Sequence, residues 1–455
     1  MKKFDTVIIG FGKGGKTLAT TLASRGESVA LVEKSDKMYG GTCPNVGCVP
    51  TKFMVAKSEI SEIKRFSSFF EKAKFYSETV AAKKALRGKI LGKMFGIMDG
   101  NPRITLYTAE ANFVSPKELK LTGKGVDETI SGDKIVIDTG SYPFIPPIDG
   151  ITNSKNVYTS EGMLDLESLP RKLVIIGGGN IGLEFASFYR KFGSEVTVLQ
   201  DLATFMPNED DDIAAAVKES METAGIKFEF GVVVTSVKDT EQGAKVSYTV
   251  NGEKREAVGN AVLISTGRKP ATEALNLAAA GIKVTPRGTI EVDEHLRTNV
   301  PGVWAIGDAA GSPQFTYISL DDFRIIFSDM TGGTRTTKDR LVPYSTFVEP
   351  PLSRVGLTEK AAKEAGYRVK VASTPVTGLP RSHVLSKYVG LLKAVVDVDT
   401  DMILGVSLFC EESHEMVNIV KLAMDCKLPY TSLRDMIFTH PIMSEALNDL
   451  FGSIK

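Results

Sequence analysis

The segment DTVIIGFGKGG occupies residues 5–15 and predicts a dinucleotide-binding unit. Its apolar half predicts a buried parallel strand, and the glycines after it form the pattern G-x-G-x-x-G. Gly10 allows a tight turn, Gly12 lets the backbone approach a pyrophosphate, and Gly15 lets the next helix pack closely on the strand. The segment therefore predicts the first turn of a Rossmann-like α/β fold.

The residues that follow continue the same unit. We expect a helix over 16–24 and a second strand over 29–32, which ends at Glu33. An acid about 20 residues after the glycines is placed to accept hydrogen bonds from ribose hydroxyls. One glycine-rich turn alone is weak support for a ligand, but strand, glycines, helix, strand and acid in this order strongly favour a nucleotide site.

The unit occurs a second time. The segment IIGGGNIG at residues 175–182 again opens a helix and leads to a strand over 196–199. At one constant offset, six residues of the first unit, Gly10, Gly12, Gly15, Ala19, Gly26 and Val29, match Gly177, Gly179, Gly182, Ala186, Gly193 and Val196. Two such units in one chain predict two bound dinucleotides.

The second unit differs at the position of the acid. Gln200 stands where the first unit has Glu33, and no lysine or arginine lies between Gln200 and Asp212. An acid there favours the free ribose hydroxyl of NAD, and an arginine favours the phosphate of NADP. Because the segment lacks a basic residue, we expect NADH rather than NADPH, with the choice left open by Gln200.

Composition limits the function classes. A chain of 455 residues predicts two or three domains, and its 55 basic and 55 acidic residues give no surplus charge for nucleic acid or an anionic membrane. No apolar run approaches membrane length. Four cysteines are too few for a secreted disulfide framework. We therefore expect a cytoplasmic protein with neither nucleic acid nor membrane as a partner.

Two of the cysteines lie five positions apart in the segment GGTCPNVGCVPTK, residues 40–52. In a straight helix the Cα atoms of Cys43 and Cys48 would be roughly 8–9 Å apart, whereas a disulfide tolerates at most about 7 Å. A pair would need a bent segment, which Gly47 and Pro50 allow. Two inert buried cysteines or half of a zinc site are the alternatives, but no second ligand pair stands at zinc spacing. We expect a reversible redox pair and no metal site.

The two thiols also differ in position. Pro44 suits the first position of a helix, so Cys43 would lie at the positive end of the helix dipole. A thiol there has a lowered pKa and is more often the nucleophilic thiolate. Cys43 is therefore the candidate nucleophile of the pair.

Polar residues at the ends of later strands are further candidates for ligand contacts. Thr139-Gly140 and Gly267 end apolar strands, and Asp308 ends another, where side chains point into the ligand crevice of an α/β fold. A helix cap is an equally good reading of Asp308. The segment 61–96 is predicted to be helical, with solvated lysines that include Lys83.

The part of the chain from about residue 341 onward predicts an α+β domain without a glycine motif. It contains His440, one of four histidines, with Glu445 five positions later. Such a histidine is more often structural, but the acid could orient it as a general base.

The combination of these motifs resembles the flavin-dependent pyridine nucleotide–disulfide oxidoreductases over essentially the whole chain. The resemblance implies two Rossmann-like domains plus a C-terminal α+β dimerisation domain. Residues 1–150 and 271–340 would bind FAD, 151–270 would bind NAD(P), and 341–455 would form a homodimer interface. By the same resemblance FAD would be held by Gly10, Gly12, Gly15, Glu33, Gly41, Thr42, Ala111, Thr139, Gly140 and Asp308, and NADH or NADPH by Gly177, Gly179, Gly182, Gln200 and Gly267.

The resemblance also implies catalytic roles. Lys52 would lie near flavin N5 and pair with Glu184. Cys48 would be the thiol beside the flavin, and Cys43 the interchange thiol that faces the substrate. His440, oriented by Glu445, would be the acid–base residue and would come from the other subunit. Asn180 departs from the family, since many members have a tyrosine there that gates the nicotinamide pocket.

Four stretches are similar to one branch, the bacterial reactive-chlorine-resistance flavoproteins, which are hypothiocyanous acid reductases with Cu(II) reductase activity. The stretches are MYGGTC (38–43), QFTYISLDD (314–322), SHEM (413–416) and FTHPIMSEALNDLF (438–451). They imply an enzyme that reduces a small thiol-reactive oxidant. A dihydrolipoamide dehydrogenase or a mercuric reductase-like enzyme is the first alternative, and a non-enzymatic redox sensor is the second.

Overall fold

The computed structural model describes residues 1–64, 66–123 and 125–455, and this part of the chain contains five β-sheets. Its N-terminal region alternates strands and helices before it turns into an antiparallel meander. The elements are β1 (Lys2–Ile9), α1 (Lys13–Ser24), β2 (Val29–Glu33), α2 (Thr42–Val46), α3 (Cys48–Ile63), α4 (Phe69–Asp99), β3 (Ile104–Thr108), β4 (Glu110–Ser115), β5 (Glu118–Gly123), β6 (Val126–Ile137) and β7 (Ser141–Pro143).

The central region repeats this plan. A parallel α/β unit is again followed by three antiparallel strands, and the chain then returns to the first sheet. The elements are β8 (Val157–Thr159), α5 (Ser160–Asp165), β9 (Lys172–Ile176), α6 (Asn180–Phe192), β10 (Glu195–Leu199), α7 (Asp211–Thr223), β11 (Ile226–Glu229), β12 (Val232–Thr240), β13 (Gly243–Val250), β14 (Glu253–Gly259), β15 (Ala261–Ile264), β16 (Arg268–Pro270), β17 (Val303–Ala305) and α8 (Thr316–Met330).

The two parallel sheets have the same organisation. The parallel part of the first, seven-stranded sheet has the order β3-β2-β1-β6, with β17 also paired to β6 and the antiparallel strands β5 and β4 added beyond β6. The second sheet has the order β11-β10-β9-β15-β8. In each sheet, the strand before the glycine motif has a parallel neighbour on both sides. Ile9 pairs with Val32 in the first sheet, and Ile176 pairs with Leu199 in the second, at the same offset as the glycines. The repeat found in the sequence is therefore a repeat of the fold, and the predicted Rossmann-like α/β class is confirmed.

The C-terminal region is α+β, as predicted. Its antiparallel sheet has the order β18-β19-β22-β21-β20, and helices cover one side of it. The elements are β18 (Tyr344–Thr346), β19 (Leu352–Gly356), α9 (Glu359–Glu364), β20 (Val369–Pro375), α10 (Pro380–Leu385), β21 (Leu391–Asp397), β22 (Ile403–Phe409), α11 (Ser413–Asp425), α12 (Thr431–Arg434) and α13 (Ala446–Gly452).

The helices between the first two regions differ from the prediction. The helical region predicted for residues 61–96 begins earlier, at Cys48, because Gly47 ends the short helix α2 and lets α3 start at once. Lys83 is buried rather than solvated. Its ammonium group donates to the Leu164 carbonyl and pairs with Asp165 at 2.7 Å, so α5 supplies the partners that water would otherwise provide.

Within residues 1–64, 66–123 and 125–455, no helix combines the length and the apolar character that a membrane crossing requires.

Candidate active site

The two cysteines begin two consecutive helices. Cys43 is the second residue of α2, and Cys48 is the first residue of α3. Between them Gly47 has φ −128° and ψ −117°, outside the helical region, so the segment bends there as predicted. Each sulfur is therefore attached close to the positive end of a helix.

The thiols contact each other and share one hydroxyl. Cys43 and Cys48 are both free thiols; Cys43 is half-buried and Cys48 is exposed in the single chain. A hydrogen bond from Cys48 lowers the pKa of Cys43 to about 6, with smaller contributions from Thr316 and Lys16, and the same bond raises the pKa of Cys48. The Thr316 hydroxyl, at the start of α8, is 3.4 Å from the Cys48 sulfur. The contact with Cys48 and the Thr316 hydroxyl therefore favours the thiolate form of Cys43.

One turn along α3, Lys52 forms an ion pair with a different region of the chain. Its Nζ is 2.6 Å from Glu184 Oε2 on α6, and Glu184 Oε1 also accepts the Phe347 backbone N–H at 3.0 Å. The Lys52 Nζ lies over the Phe347 ring, 4.4 Å from its centroid. The centroid of the Phe347 ring is 5.4 Å from that of the His414 ring. The pair thus connects the cysteine helix, the second glycine unit and the C-terminal region.

The first glycine motif folds against the end of β6. Gly10 has φ +108°, and a Cβ on it would lie 2.1 Å from the Asp138 carbonyl oxygen, so this turn requires glycine. The Gly15 N–H donates to Asp138 Oδ2 at 2.8 Å. Glu33 is buried, and its carboxylate accepts the Phe11 N–H at 3.2 Å, which places it beside the turn. Burial raises the pKa of Glu33.

The surroundings of this motif fit the FAD that the resemblance implies. Gly41 has φ +81°, and a Cβ on it would lie 2.8 Å from the Gly12 Cα, so two glycine backbones meet where a pyrophosphate would approach. The buried Thr139 hydroxyl has no hydrogen-bond partner in the described residues, and Gly140 has open space where a side chain would be. Asp308 accepts a hydrogen bond from Ser141 at 2.5 Å, and burial raises the pKa of its carboxyl.

The structure also gives the positions of two other residues that are predicted to bind FAD. Thr42 is the first residue of α2, next to Cys43, and Ala111 is buried in β4. Neither side chain has a described contact that defines a role. Their roles remain predictions.

The second glycine motif has the same turn but a different partner. A Cβ on Gly177 would lie 2.5 Å from the Ser265 carbonyl oxygen. This is the same kind of close approach as that of Gly10 to the Asp138 carbonyl oxygen. Gly179 and Gly267 both face open space where a Cβ would lie, which fits the approach of a nucleotide. Gln200 Oε1 accepts the Gly178 N–H at 2.6 Å. Gln200 thus accepts a backbone N–H of the second glycine turn, as Glu33 does at the equivalent position of the first unit, but the Gln200 side chain is uncharged.

His440 and Glu445 form the predicted pair. His440 Nδ1 is 2.8 Å from Glu445 Oε2, and the imidazole is 61% exposed. Within the described residues of the single chain, no hydrogen bond joins His440 to Cys43 or Cys48. The structure therefore brings the two cysteines and the Lys52–Glu184 pair into one site, whereas His440 is exposed and hydrogen-bonded only to Glu445 among the described residues.

Three residues at the site were missed by the sequence analysis. Thr316 lies in the stretch QFTYISLDD, so that stretch carried a usable indication. Phe347 and Asp138 carried none, because both act through tertiary contacts. The sequence cannot show that a phenylalanine from the C-terminal region covers Lys52, or that a carboxyl lies under the first glycine turn.

Comparison with known proteins agrees with this geometry. The family description "Pyridine nucleotide-disulphide oxidoreductase" matches residues 4–322, and the dimerisation domain of the same family matches residues 342–451. The chain belongs to the pyridine nucleotide-disulphide oxidoreductase family. The relatives are flavoprotein disulfide reductases, and the family uses FAD and a pyridine nucleotide. The predicted family is therefore confirmed.

Individual members of this family match the full chain. The "Probable pyridine nucleotide-disulfide oxidoreductase RclA" of Escherichia coli K12 is 44% identical and covers 100% of both chains. A dihydrolipoyl dehydrogenase of Thermus scotoductus is 33% identical over 98% of this chain and 96% of its own. A solved structure, described as the Cu(II) complex of the HOCl-induced flavoprotein disulfide reductase RclA from Escherichia coli, superposes with a TM-score of 0.93 at 44% identity over all of both chains.

Proposed function

We propose that this disulfide reductase uses NADH to reduce a small thiol-reactive oxidant, hypothiocyanous acid, through a Cys43–Cys48 redox pair. The observation that carries the proposal is the placement of Cys43 at a helix start and in hydrogen-bond contact with the second free thiol, Cys48, a contact that lowers the pKa of Cys43 to about 6. A small electrophile needs only an activated thiolate, a resolving thiol and a proton donor.

The chemistry at the two cysteines balances in two steps. The Cys43 thiolate attacks the electrophilic sulfur of hypothiocyanous acid, forms a sulfur–sulfur bond and displaces hydroxide, which a proton converts to water. The Cys48 sulfur, as its proton leaves, then attacks the Cys43 sulfur and displaces thiocyanate, which leaves the Cys43–Cys48 disulfide. The oxidant has gained two electrons, and the dithiol has lost them.

The remaining residues would prepare and renew this pair. FAD, when bound, supplies the transfer of two electrons from the nicotinamide nucleotide to the disulfide. Lys52 would hold its positive charge beside the flavin because Glu184 and the Phe347 ring fix the ammonium group. The Thr316 hydroxyl, which helps to lower the pKa of Cys43, would stabilise its thiolate.

In the proposed enzyme, each region of the chain has its own task. Residues 1–150 and 271–340 would bind FAD, 151–270 the nicotinamide nucleotide, and 341–455 would form the interface of a homodimer. His440 of one subunit, oriented by Glu445, would donate the proton at the Cys43 of the other. The ribose of FAD would contact Glu33. The reaction would take place in the cytoplasm, which the low number of cysteines, four, supports.

Two observations support the choice of oxidant. The Escherichia coli relative, 44% identical over its full length, is described as HOCl-induced, which connects it with reactive chlorine. The branch-like stretch at 314–322 supplies Thr316, which contacts the thiols in this chain. Cu(II) is a second candidate acceptor, because that relative was solved as a Cu(II) complex. Thiolates would suit the Cu(I) that reduction forms.

The test is steady-state NADH oxidation with hypothiocyanous acid, Cu(II), lipoamide, oxidised glutathione and Hg(II) compared side by side. We expect hypothiocyanous acid to give the highest kcat/KM, with release of one thiocyanate per NADH. The Cys43→Ser and Cys48→Ser variants should each lose this turnover while FAD stays bound.

Other outcomes would select the alternatives. Efficient turnover of lipoamide with hypothiocyanous acid inert would identify a dihydrolipoamide dehydrogenase, and preferred turnover of Hg(II) would identify a mercuric reductase-like enzyme. A holoenzyme that turns over none of these acceptors, yet changes its thiol state with them, would fit a redox sensor. Normal turnover in both cysteine variants would show that the dithiol mechanism is wrong.

A further inference from the structure

Asp138 is a buried carboxyl placed directly under the first glycine turn. It follows β6, is only 6% exposed, and accepts the Gly15 N–H of α1 at 2.8 Å through Oδ2. A Cβ on Gly12 would lie 2.5 Å from the same oxygen, so the carboxyl touches the backbone that would face a pyrophosphate. No role in the proposed catalysis uses this group.

The surroundings of Asp138 do not neutralise it. Among the described residues no lysine or arginine forms an ion pair with it. Lys16 of α1 is nearby, but its ammonium group donates to the Gly40 carbonyl at 3.0 Å. On the other side stand two more acids, Asp308, which follows β17, and Asp322 of α8, of which Asp322 is paired with Arg340 at 2.6 Å.

These contacts make the charged form of Asp138 unfavourable. Burial raises the pKa of its carboxyl to about 8, the negative charges of Asp308 and Asp322 add to this, and the Gly15 N–H and Lys16 oppose it. Burial without a cationic partner therefore favours the protonated form near neutral pH. As pH rises through about 8, the carboxyl loses its proton and becomes an anion.

The second glycine unit shows that the fold does not need this carboxyl. Ser265 occupies the matching place at the end of β15, and its hydroxyl donates to the Gly177 carbonyl at 2.8 Å. Gly177 makes the same tight turn there as Gly10 does above Asp138. The turn forms equally well over a neutral side chain, so the carboxyl is a feature of the FAD unit alone.

We propose that Asp138 is a positioning residue for FAD that must keep its proton for the cofactor to be held tightly. A helix start that faces a glycine turn binds pyrophosphate through its free N–H groups and its dipole. A protonated Asp138 accepts the Gly15 N–H and holds the turn without adding charge. An ionised Asp138 places a second anion at the same helix start, so proton loss weakens FAD binding.

The experiment measures FAD release from the purified holoenzyme, without substrate. Release is followed by the rise in flavin fluorescence after dilution, at about pH 7 and about pH 9.5, for the wild type, Asp138→Asn and Asp138→Ser. If only the FAD-free form loses its proton, the wild type should hold FAD about thirtyfold less tightly at the higher pH. Both variants should change less than about threefold, because they carry no ionisable group there.

Several results would overturn the proposal. These are equal release from the wild type at both pH values, the same pH dependence in Asp138→Asn as in the wild type, and loss of FAD from both variants at neutral pH with an unchanged circular dichroism spectrum. Asp138→Ser copies the second unit, so it keeps the test available if the asparagine variant does not fold. Because no oxidant is involved, failure here is separate from failure of the proposed reaction.

Discussion

At the residue scale, Thr316 is the side chain that joins the two thiols to α8. Its hydroxyl is 3.4 Å from the Cys48 sulfur and helps to lower the pKa of Cys43. The side chain is attached at the first residue of a 15-residue helix, so hydroxyl and helix dipole act in the same direction. Thr316 should therefore set the pH range in which the thiolate exists.

We expect Thr316→Val to raise the pKa of the thiolate by roughly one unit, since a hydrogen bond to a charged group is worth about 1.5 kcal/mol. The wild-type thiolate, with a pKa lowered to about 6, is present above that pH and is lost as pH falls through it. The measurement is the rate of iodoacetamide alkylation of the reduced enzyme against pH. Thr316→Ser keeps the hydroxyl and should behave as the wild type; an unshifted midpoint in the valine variant would refute the role.

Gln200 is the residue of the second glycine unit that bears on the choice between NADH and NADPH. It accepts the Gly178 N–H at 2.6 Å, as Glu33 accepts the Phe11 N–H in the first unit. A neutral amide neither repels a ribose phosphate nor binds one. Preference between the two nucleotides thus depends on basic groups, which the segment from Gln200 to Asp212 lacks.

We therefore expect the wild type to use NADH at least as well as NADPH, and Gln200→Arg to shift the ratio of kcat/KM values about tenfold or more towards NADPH. The ratio is measured by steady-state kinetics with both nucleotides. Gln200→Glu is the matched control and should favour NADH further. A wild type that strongly prefers NADPH would contradict the prediction.

At the element scale, Gly47 separates the helices that carry the two thiols. A Cβ at this position would lie 3.1 Å from the Thr42 carbonyl oxygen and 3.3 Å from its methyl group, so α2 and α3 would have to shift by tenths of an ångström. By contrast, a Cβ on Gly92 in α4 would meet no described atom. The two glycines provide a matched pair of tests.

We expect Gly47→Ala to fold but to close the Cys43–Cys48 disulfide several-fold more slowly, because the sulfurs are no longer aligned. The measurement is the loss of free thiols after the reduced enzyme is mixed with one equivalent of oxidant. Gly92→Ala should leave this rate unchanged and raise the free energy of unfolding by about 0.5–1 kcal/mol. Equal closure rates in the two variants would show that the bend is not needed.

The sequence predicted the elements whose pattern is local. Two glycine motifs at one offset were enough to predict two matching dinucleotide-binding units. The bend followed from the assumption that Cys43 and Cys48 pair, with Gly47 and Pro50 as the residues that allow it; the structure places it at Gly47, and Pro50 lies inside α3. The sequence did not predict where α3 begins or that Lys83 is buried, since α5 determines the environment of Lys83. The Lys52–Glu184 pair was implied by the family resemblance. Phe347 beside Lys52 and Thr316 beside the thiols lie more than two hundred positions away in the chain, and only the folded chain shows these contacts.

At the scale of the whole molecule, the predicted acid–base residue makes no hydrogen bond to either thiol within the described residues of one chain. His440 is exposed and paired with Glu445, whereas Cys43 is half-buried beside α3. A homodimer that joins the C-terminal regions would bring the two together. Each active site would then need residues from both subunits.

Mixing Cys43→Ser subunits with His440→Ala subunits should therefore restore activity. After random exchange about half of the dimers are mixed, and each mixed dimer has one intact site, so we expect roughly a quarter of wild-type turnover with hypothiocyanous acid. Exchange is verified by mass spectrometry of differently tagged subunits. Mixing each variant with itself is the control, and no recovery after complete exchange would argue against a shared site.

The attachment of α3 has a consequence for motion. This helix is anchored by Lys52 to Glu184 and packs along α6, while α2 has only five residues and ends at Gly47. Opening a disulfide moves its sulfur atoms apart by more than about 1 Å. The long helix cannot follow, so the displacement should be one-sided. Oxidised and reduced crystals should superpose over residues 48–63 and differ at residues 42–46, and an equal shift of both segments would contradict this asymmetry.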